Sequence, residues 1–322
     1  MSRTKTVLPS RKSMGLSLML SNRYRVKMLL AFLTIYIIWG TTYLAMRFAV
    51  DTIPPFTVAG WRFLFAGIVL LVILVIRGET LPTLVQWRSA GLIGCLLMLG
   101  GNGLVMWAVQ EIPTGVCAVI VATMPLWMTT FDRLLYRGPK IGLWQGIGLF
   151  LGLLGTVLLV SPFESSQDQM SFHLPSMIAI IAAPIFWSLG SLHSRVVNLP
   201  DNIFMATAAE MICGGLAIIG ISIALGEPSQ MDWSNVSYQS LLATGYLSIF
   251  GSIIALSSYM WLLKNVDASR VSTYTYINPV IAILLGWAVL QEAITLRSSV
   301  ASLVIVAAVF LIVRQKAKQA KK

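Results

Sequence analysis

Apolar residues run along this chain in stretches of about 20, separated by short clusters rich in Pro, Gly and charge. A helix rises about 1.5 Å per residue, so a stretch of that length crosses a hydrocarbon core of about 30 Å. Ten such spans are expected, near residues 28–50, 56–77, 89–109, 115–136, 141–161, 175–197, 202–225, 238–262, 269–291 and 295–314. The links between them are short and carry turn chemistry, as in Ile53-Pro54-Pro55, Arg137-Gly138-Pro139 and Asn198-Leu199-Pro200-Asp201. The pattern predicts an all-α polytopic membrane protein with ten transmembrane helices.

Composition sharpens this. Of 322 residues, 57% are hydrophobic and 11% charged, with a mean hydropathy of +0.81, which excludes a soluble globular fold and with it most enzymes. With an inner amino terminus, 20 basic residues fall on inner segments and one, Arg297, on an outer loop. The positive-inside rule therefore predicts both termini in the cytoplasm and an inner-membrane location, with basic tails at 1–27 and 315–322. These flanks account for the net charge of +11, so nucleic acid is not expected as a partner; the bilayer is. Met14–Leu20 is too short for a signal peptide, residues 1–27 read as a disordered tail, and Met14 and Met28 are alternative starts. Cys95, Cys117 and Cys213 lie in apolar runs without metal spacing, and no cofactor or metal is expected.

The chain also repeats itself. At an offset of 148, Trp39 meets Trp187, Arg47 meets Arg195, Gly67 meets Gly215 and Arg77-Gly78-Glu79 meets Leu225-Gly226-Glu227. Further on the offset becomes 154, superposing Met106-Trp107 on Met260-Trp261 and Pro125 on Pro279. Two five-span repeats, 28–161 and 175–314, follow. Five is odd, so the second repeat enters the membrane inverted, the arrangement associated with alternating access.

These residues resemble the drug/metabolite transporter superfamily, specifically its EamA family, over residues 28–314. The resemblance rests on Ile38-Trp39-Gly40-Thr41-Thr42-Tyr43, on Pro54-Pro55 with Trp61-Arg62-Phe63, on the small-residue span 5, and on Asn278-Pro279 through Gln291-Glu292. Gly100-Gly101-Asn102-Gly103 and Gly251-Ser252-Ile253-Ile254-Ala255 look like the YedA-type branch. The family's acidic element after the fourth helix is matched by Glu292, whereas Gly138 stands in its place in the first half. The resemblance implies a ten-helix exporter with a central cavity, peripheral fifth and tenth helices, and small metabolites or amino acids as cargo.

Tyr36, Trp39, Tyr43 and Arg47 share one helical face, and Trp187 repeats Trp39 at mid-span. Membrane tryptophans gather at interfaces, so a midplane indole N–H needs an internal partner or a wet cavity. Trp39, Tyr43, Tyr36 and Trp187, with Asn102, Tyr276 and Asn278 at similar depth, are therefore the candidate substrate-binding residues; helix packing and interhelical hydrogen bonding are the alternatives. Pro125 and Pro279 are expected mid-helix, where they free the carbonyls of Val121 and Thr275 for cargo or merely kink the helix. His193 suits proton coupling by its chemistry and an interfacial place by its position. Glycines 142, 146, 148, 152 and 155 of span 5 form a packing face or a homodimer contact.

Arg47, His193, Arg62, Glu210 and the two prolines are the coupling and gating candidates. Arg62 and Glu210 are repeat equivalents of opposite charge, and a charge in hydrocarbon seeks a partner. Either they pair with one another across the two-fold axis, breaking and reforming as the halves rock, or each finds its own partner. The absence of GxxxxGK[ST] excludes an ATP-driven pump acting alone. A secondary transporter of small molecules is the leading reading. An intramembrane enzyme lacks a nucleophile or metal constellation, and a non-transporting scaffold or sensor differs from a transporter only in flux.

Overall fold

The computed structural model describes residues 11–112, 117, 120–138, 140–160, 174–290 and 296–319, where all regular structure is helical. The principal helices are α1 (Arg11–Ala49), α2 (Pro55–Ile76), α3 (Leu84–Ala108), α4 (Met124–Leu135) and α5 (Leu143–Val160). They are followed by α6 (Leu174–His193), α7 (Ile203–Ala224), α8 (Tyr238–Asn265), α9 (Tyr274–Leu290) and α10 (Leu296–Gln319). Among the described residues six helices are long and apolar enough to cross a membrane: Arg23–Ala49 within α1, then α2, α3, α6, α7 and α8. Shorter apolar helices cover Leu143–Gly155 and Ser299–Ala308. Helix α1 begins at Arg11, inside the segment read above as a disordered tail; its Met, Leu, Lys and Arg are good helix formers. Gln291 and Glu292 lie outside the described residues.

The offset of 148 recurs in the helix boundaries. Pro55–Ile76 maps onto Ile203–Ala224, and each helix is stopped by a left-handed glycine, Gly78 at φ 88° and Gly226 at φ 73°. Both third helices, α3 and α8, widen into π-helical segments, Cys95–Gly103 and Leu247–Leu256. The change of offset falls ahead of these segments, in the link between the second and third helices, which spans 77–83 in the first repeat and 225–237 in the second.

Helices α2 and α7 cross at small residues. A Cβ on Gly60 would meet Ile219, one on Gly215 would meet Leu64, and one on Gly67 would meet Ile212. As the number rises along α2 it falls along α7, so these equivalent helices run antiparallel. Subtracting 148 turns the Leu64–Gly215 contact into the Gly67–Ile212 one, as a two-fold axis perpendicular to the helices requires. Lipid tails supply no hydrophobic drive between helices, so close backbone approach at glycine does the packing. The other contacts obey the same exchange: α1 packs on α8 and α9, α6 on α3 and α4, and α5 on α10. Each repeat thus donates its first helix to the other.

Two expectations change. Pro125 sits in the first turn of α4, after a turn at Ala122–Thr123, where its missing N–H costs nothing. Pro279 does lie inside α9, which begins after a break at Ser272–Thr273, four residues earlier in the repeat than the break before α4. The glycine face of α5 is partly taken up within the chain: a Cβ on Gly152 would strike the Tyr276 ring and one on Gly155 would strike Ile305 of α10, whereas Gly146 faces open space.

Candidate functional site

A cavity lies where α1, α2, α3, α4, α6 and α9 converge. Trp39, Tyr43 and Met46 of α1, Arg62 of α2, Asn102 and Val105 of α3, Met124 of α4, Pro184 and Trp187 of α6, and Tyr274 and Asn278 of α9 line it. Its floor is an aromatic cluster. The Trp39 ring stands 5.6 Å from Trp187 and 4.6 Å from Tyr274, both edge to face, and 5.1 Å from Tyr259. Edge-to-face contacts place positive ring edges on negative faces, so the cluster is held in one arrangement.

The two indoles find the internal partners that their depth demands. Trp39 Nε1 donates to the Gly251 carbonyl at 3.1 Å, and Trp187 Nε1 donates to the Tyr259 hydroxyl at 2.9 Å. Both partners lie in α8, Gly251 within its π-helical segment. Gly101, in the π-segment of α3, lies under Trp187: a Cβ there would come within 2.6 Å of the ring. Gly101 is thus required by the tryptophan of the opposite repeat, whereas a Cβ on Gly251 would meet only ordinary contacts and Trp39 uses its carbonyl alone.

The cavity occupies one half of the two-fold arrangement. Its Tyr43 and Val105 have Ser191 and Tyr259 as repeat equivalents, and on that side the space is filled. The Tyr259 hydroxyl bridges Trp187 Nε1 and Ser191 Oγ, the latter at 2.6 Å, while its ring packs against Tyr274 at 5.8 Å. A polar-tipped aromatic plug stands opposite an aromatic cavity. The cavity volume is about 70 Å³, room for a few waters.

Polar groups without partners converge on this space. Nε and Nη1 of Arg62 and the Oδ1 atoms of Asn102 and Asn278 are buried without a hydrogen-bond partner among the described residues. Arg62 is 2% exposed, and its guanidinium carbon lies 4.4 Å from the centre of the Phe63 ring.

Five of the seven candidate binding residues meet at the cavity, namely Trp39, Tyr43, Asn102, Trp187 and Asn278, and Arg62 joins them. Tyr36 stands aside, its hydroxyl 2.7 Å from Thr273 Oγ1 at the α9 break. Tyr276 points to α5, where its hydroxyl donates to the Leu149 carbonyl at 3.2 Å. Arg47 is exposed, and Met46 takes its place on the cavity wall. His193 Nδ1 is 3.2 Å from the Tyr136 hydroxyl, beside an Arg195–Asp132 pair at 3.9 Å. The Arg62–Glu210 ion pair is not formed: Glu210 is fully buried with both carboxylate oxygens unpartnered among the described residues, its backbone against Gly94 of α3, whereas Arg62 approaches Gly251 of α8. Repeat symmetry sends the two charges to opposite neighbours. Sequence reasoning missed Tyr259 and Tyr274, because their repeat equivalents, Val105 and Ile120, are aliphatic.

A second cavity, about 400 Å³, lies at the ends of α6 and α8 and is lined by Arg195, Asp201 and Lys264. It shares no lining residue with the first.

Antiparallel equivalent helices, membrane-length apolar segments and an internal cavity at the repeat interface define an integral membrane protein built of two inverted repeats. The chain belongs to the EamA-like transporter family, whose model matches residues 26–161 and again 174–314. It is 40% identical over 283 residues to the uncharacterized inner membrane transporter YedA of Escherichia coli (strain K12), covering 88% of this chain and 89% of that protein. It is 26% identical to the uncharacterized transporter YoaV of Bacillus subtilis (strain 168), covering 89% and 96%. A solved crystal structure at 22% identity superposes with a TM-score of 0.73 over 91% of this chain and 98% of its own, which shows the fold.

Proposed function

We propose that this chain is a ten-span secondary transporter of the inner membrane, with both termini cytoplasmic, that moves small metabolites, amino acids or amphipathic compounds by alternating access. The observation that carries the reading is the asymmetry of the two-fold site: a cavity on the Tyr43–Val105 side and a hydrogen-bonded plug on the equivalent Ser191–Tyr259 side. In an inverted-repeat protein, exchanging the conformations of the two halves converts one arrangement into the other, which moves access from one face to the other around a fixed centre. Trp39 and Trp187 are that centre. At about 70 Å³ the cavity is closed down, so cargo of metabolite size enters as the helices part. The membership in a transporter family and the inner-membrane name of a 40% identical relative support the same reading over an enzyme or a scaffold.

Counterflow in proteoliposomes, screened over amino acids, organic acids and amphipathic cations, tests it. At least one compound is expected to exchange faster than in protein-free vesicles, and Trp39→Ala with Trp187→Ala to abolish the exchange. Flux that survives both substitutions would reduce the tryptophans to packing residues, and no flux across the panel would remove the transporter reading.

A further inference from the structure

We propose that Arg62 binds the carboxylate of the cargo, and that the cargo is a small organic carboxylate carrying a hydrogen-bond donor and an apolar body. This deepens the transporter reading and rests on it. Among the described residues Arg62 is the one charged residue lining the central cavity, and no acidic side chain lies within 4 Å of it. Two of its nitrogens have no partner although the side chain is 2% exposed. A buried guanidinium left unpaired in hydrocarbon is costly, and an anion in the adjoining cavity removes that cost. The planar fork of donors matches two carboxylate oxygens at once.

The other unpartnered groups complete the outline. The Oδ1 atoms of Asn102 and Asn278 are acceptors that lack donors, and both residues line the same cavity, so they suit an N–H or O–H elsewhere on the cargo. Trp39, Trp187 and Tyr274 offer apolar wall between these polar points. Aromatic faces also attract cations, yet a cation in this space meets the full charge of Arg62 with no acid to offset it, and direct repulsion outweighs the weaker attraction to a ring. Glu210, the repeat equivalent of Arg62, supplies no such offset, because it does not line the cavity.

Three compounds with one branched body separate the possibilities in proteoliposomes: leucine, 2-hydroxy-4-methylpentanoate and 3-methylbutyl-trimethylammonium, with efflux read by mass spectrometry against protein-free vesicles. The two carboxylates are expected to leave and the cation to be retained by the wild-type chain, a comparison that needs no variant to fold. Arg62→Gln is expected to lower carboxylate efflux at least tenfold, with Arg62→Lys retaining more than Arg62→Gln. Cation efflux as fast as that of the carboxylates overturns the assignment and leaves the transporter reading standing, as does full carboxylate efflux by a folded Arg62→Gln protein. Absence of flux for all three also overturns it, and the wider panel then decides the transporter reading separately.

Discussion

At the level of single residues, the site is built from side chains whose needs are met only across the repeat interface. An indole N–H in hydrocarbon requires an acceptor, and Trp39 and Trp187 each find one in α8, at Gly251 and Tyr259. That need was legible from the two tryptophans lying at mid-span; the identity of the partners was not, since it depends on which helix crosses at that height. Arg47 and Tyr36 show the limit of periodicity: helical spacing places residues on a face, but which part of that face meets the cavity is decided by neighbouring helices. Glycine gives the sharpest test at this scale. A Cβ on Gly101 would lie 2.6 Å from the Trp187 ring, whereas one on Gly146 meets nothing within 4 Å. Gly101→Ala is expected to cost about 1–3 kcal/mol by overpacking, lowering the unfolding temperature in detergent together with any flux. Gly146→Ala, in a helix interior with free space, is expected to hold or raise that temperature. Equal behaviour of the two variants would contradict the packing described.

Among the elements, α2 and α7 form the joint between the repeats, and one carboxylate fastens it. Glu227 is 8% exposed and accepts from Phe56 N at 3.2 Å, Thr57 N at 2.7 Å, Thr57 Oγ1 at 3.0 Å and Ser222 Oγ at 2.8 Å. It caps the first turn of α2, whose own N-cap, Pro54, has no side chain to offer, and an anion there is favoured by the helix dipole. The repeat equivalent, Glu79, is exposed, and α7 is capped instead by its own Asn202. Glu227→Ala is therefore expected to destabilise the protein by about 2 kcal/mol or more, because charged hydrogen bonds are lost and buried donors are left unpaired. Glu79→Ala is expected to leave thermal unfolding unchanged. A Glu227→Ala protein as stable as wild type would show that the cap is dispensable. The spans of α2 and α7 were readable in the sequence because their apolar runs are bounded by Pro and Gly. The π-segments and the broken starts of α4 and α9 were not, since a wider turn leaves the same apolar composition as an α-helix.

For the whole molecule, inversion was legible because the rare residues Trp, Arg and Pro recur at one offset, and an odd span count forces opposite entry. The contacts add what an offset cannot, namely that each repeat lends its first helix to the other, so neither half holds its site alone. On the proposed alternating-access reading, a two-fold arrangement with a cavity on one side and a plug on the other is one member of a pair of states. The most direct measurement is of two mouth distances in one reconstituted protein, by spin labels in a background free of Cys95, Cys117 and Cys213. Asp51→Cys with Glu111→Cys reports one mouth, and Asn198→Cys with Asn265→Cys reports its counterpart at the other; all four positions are exposed. The account predicts two populations for each pair, with every condition that widens one mouth narrowing the other. A single fixed distance at both mouths, or mouths that widen together, would contradict it.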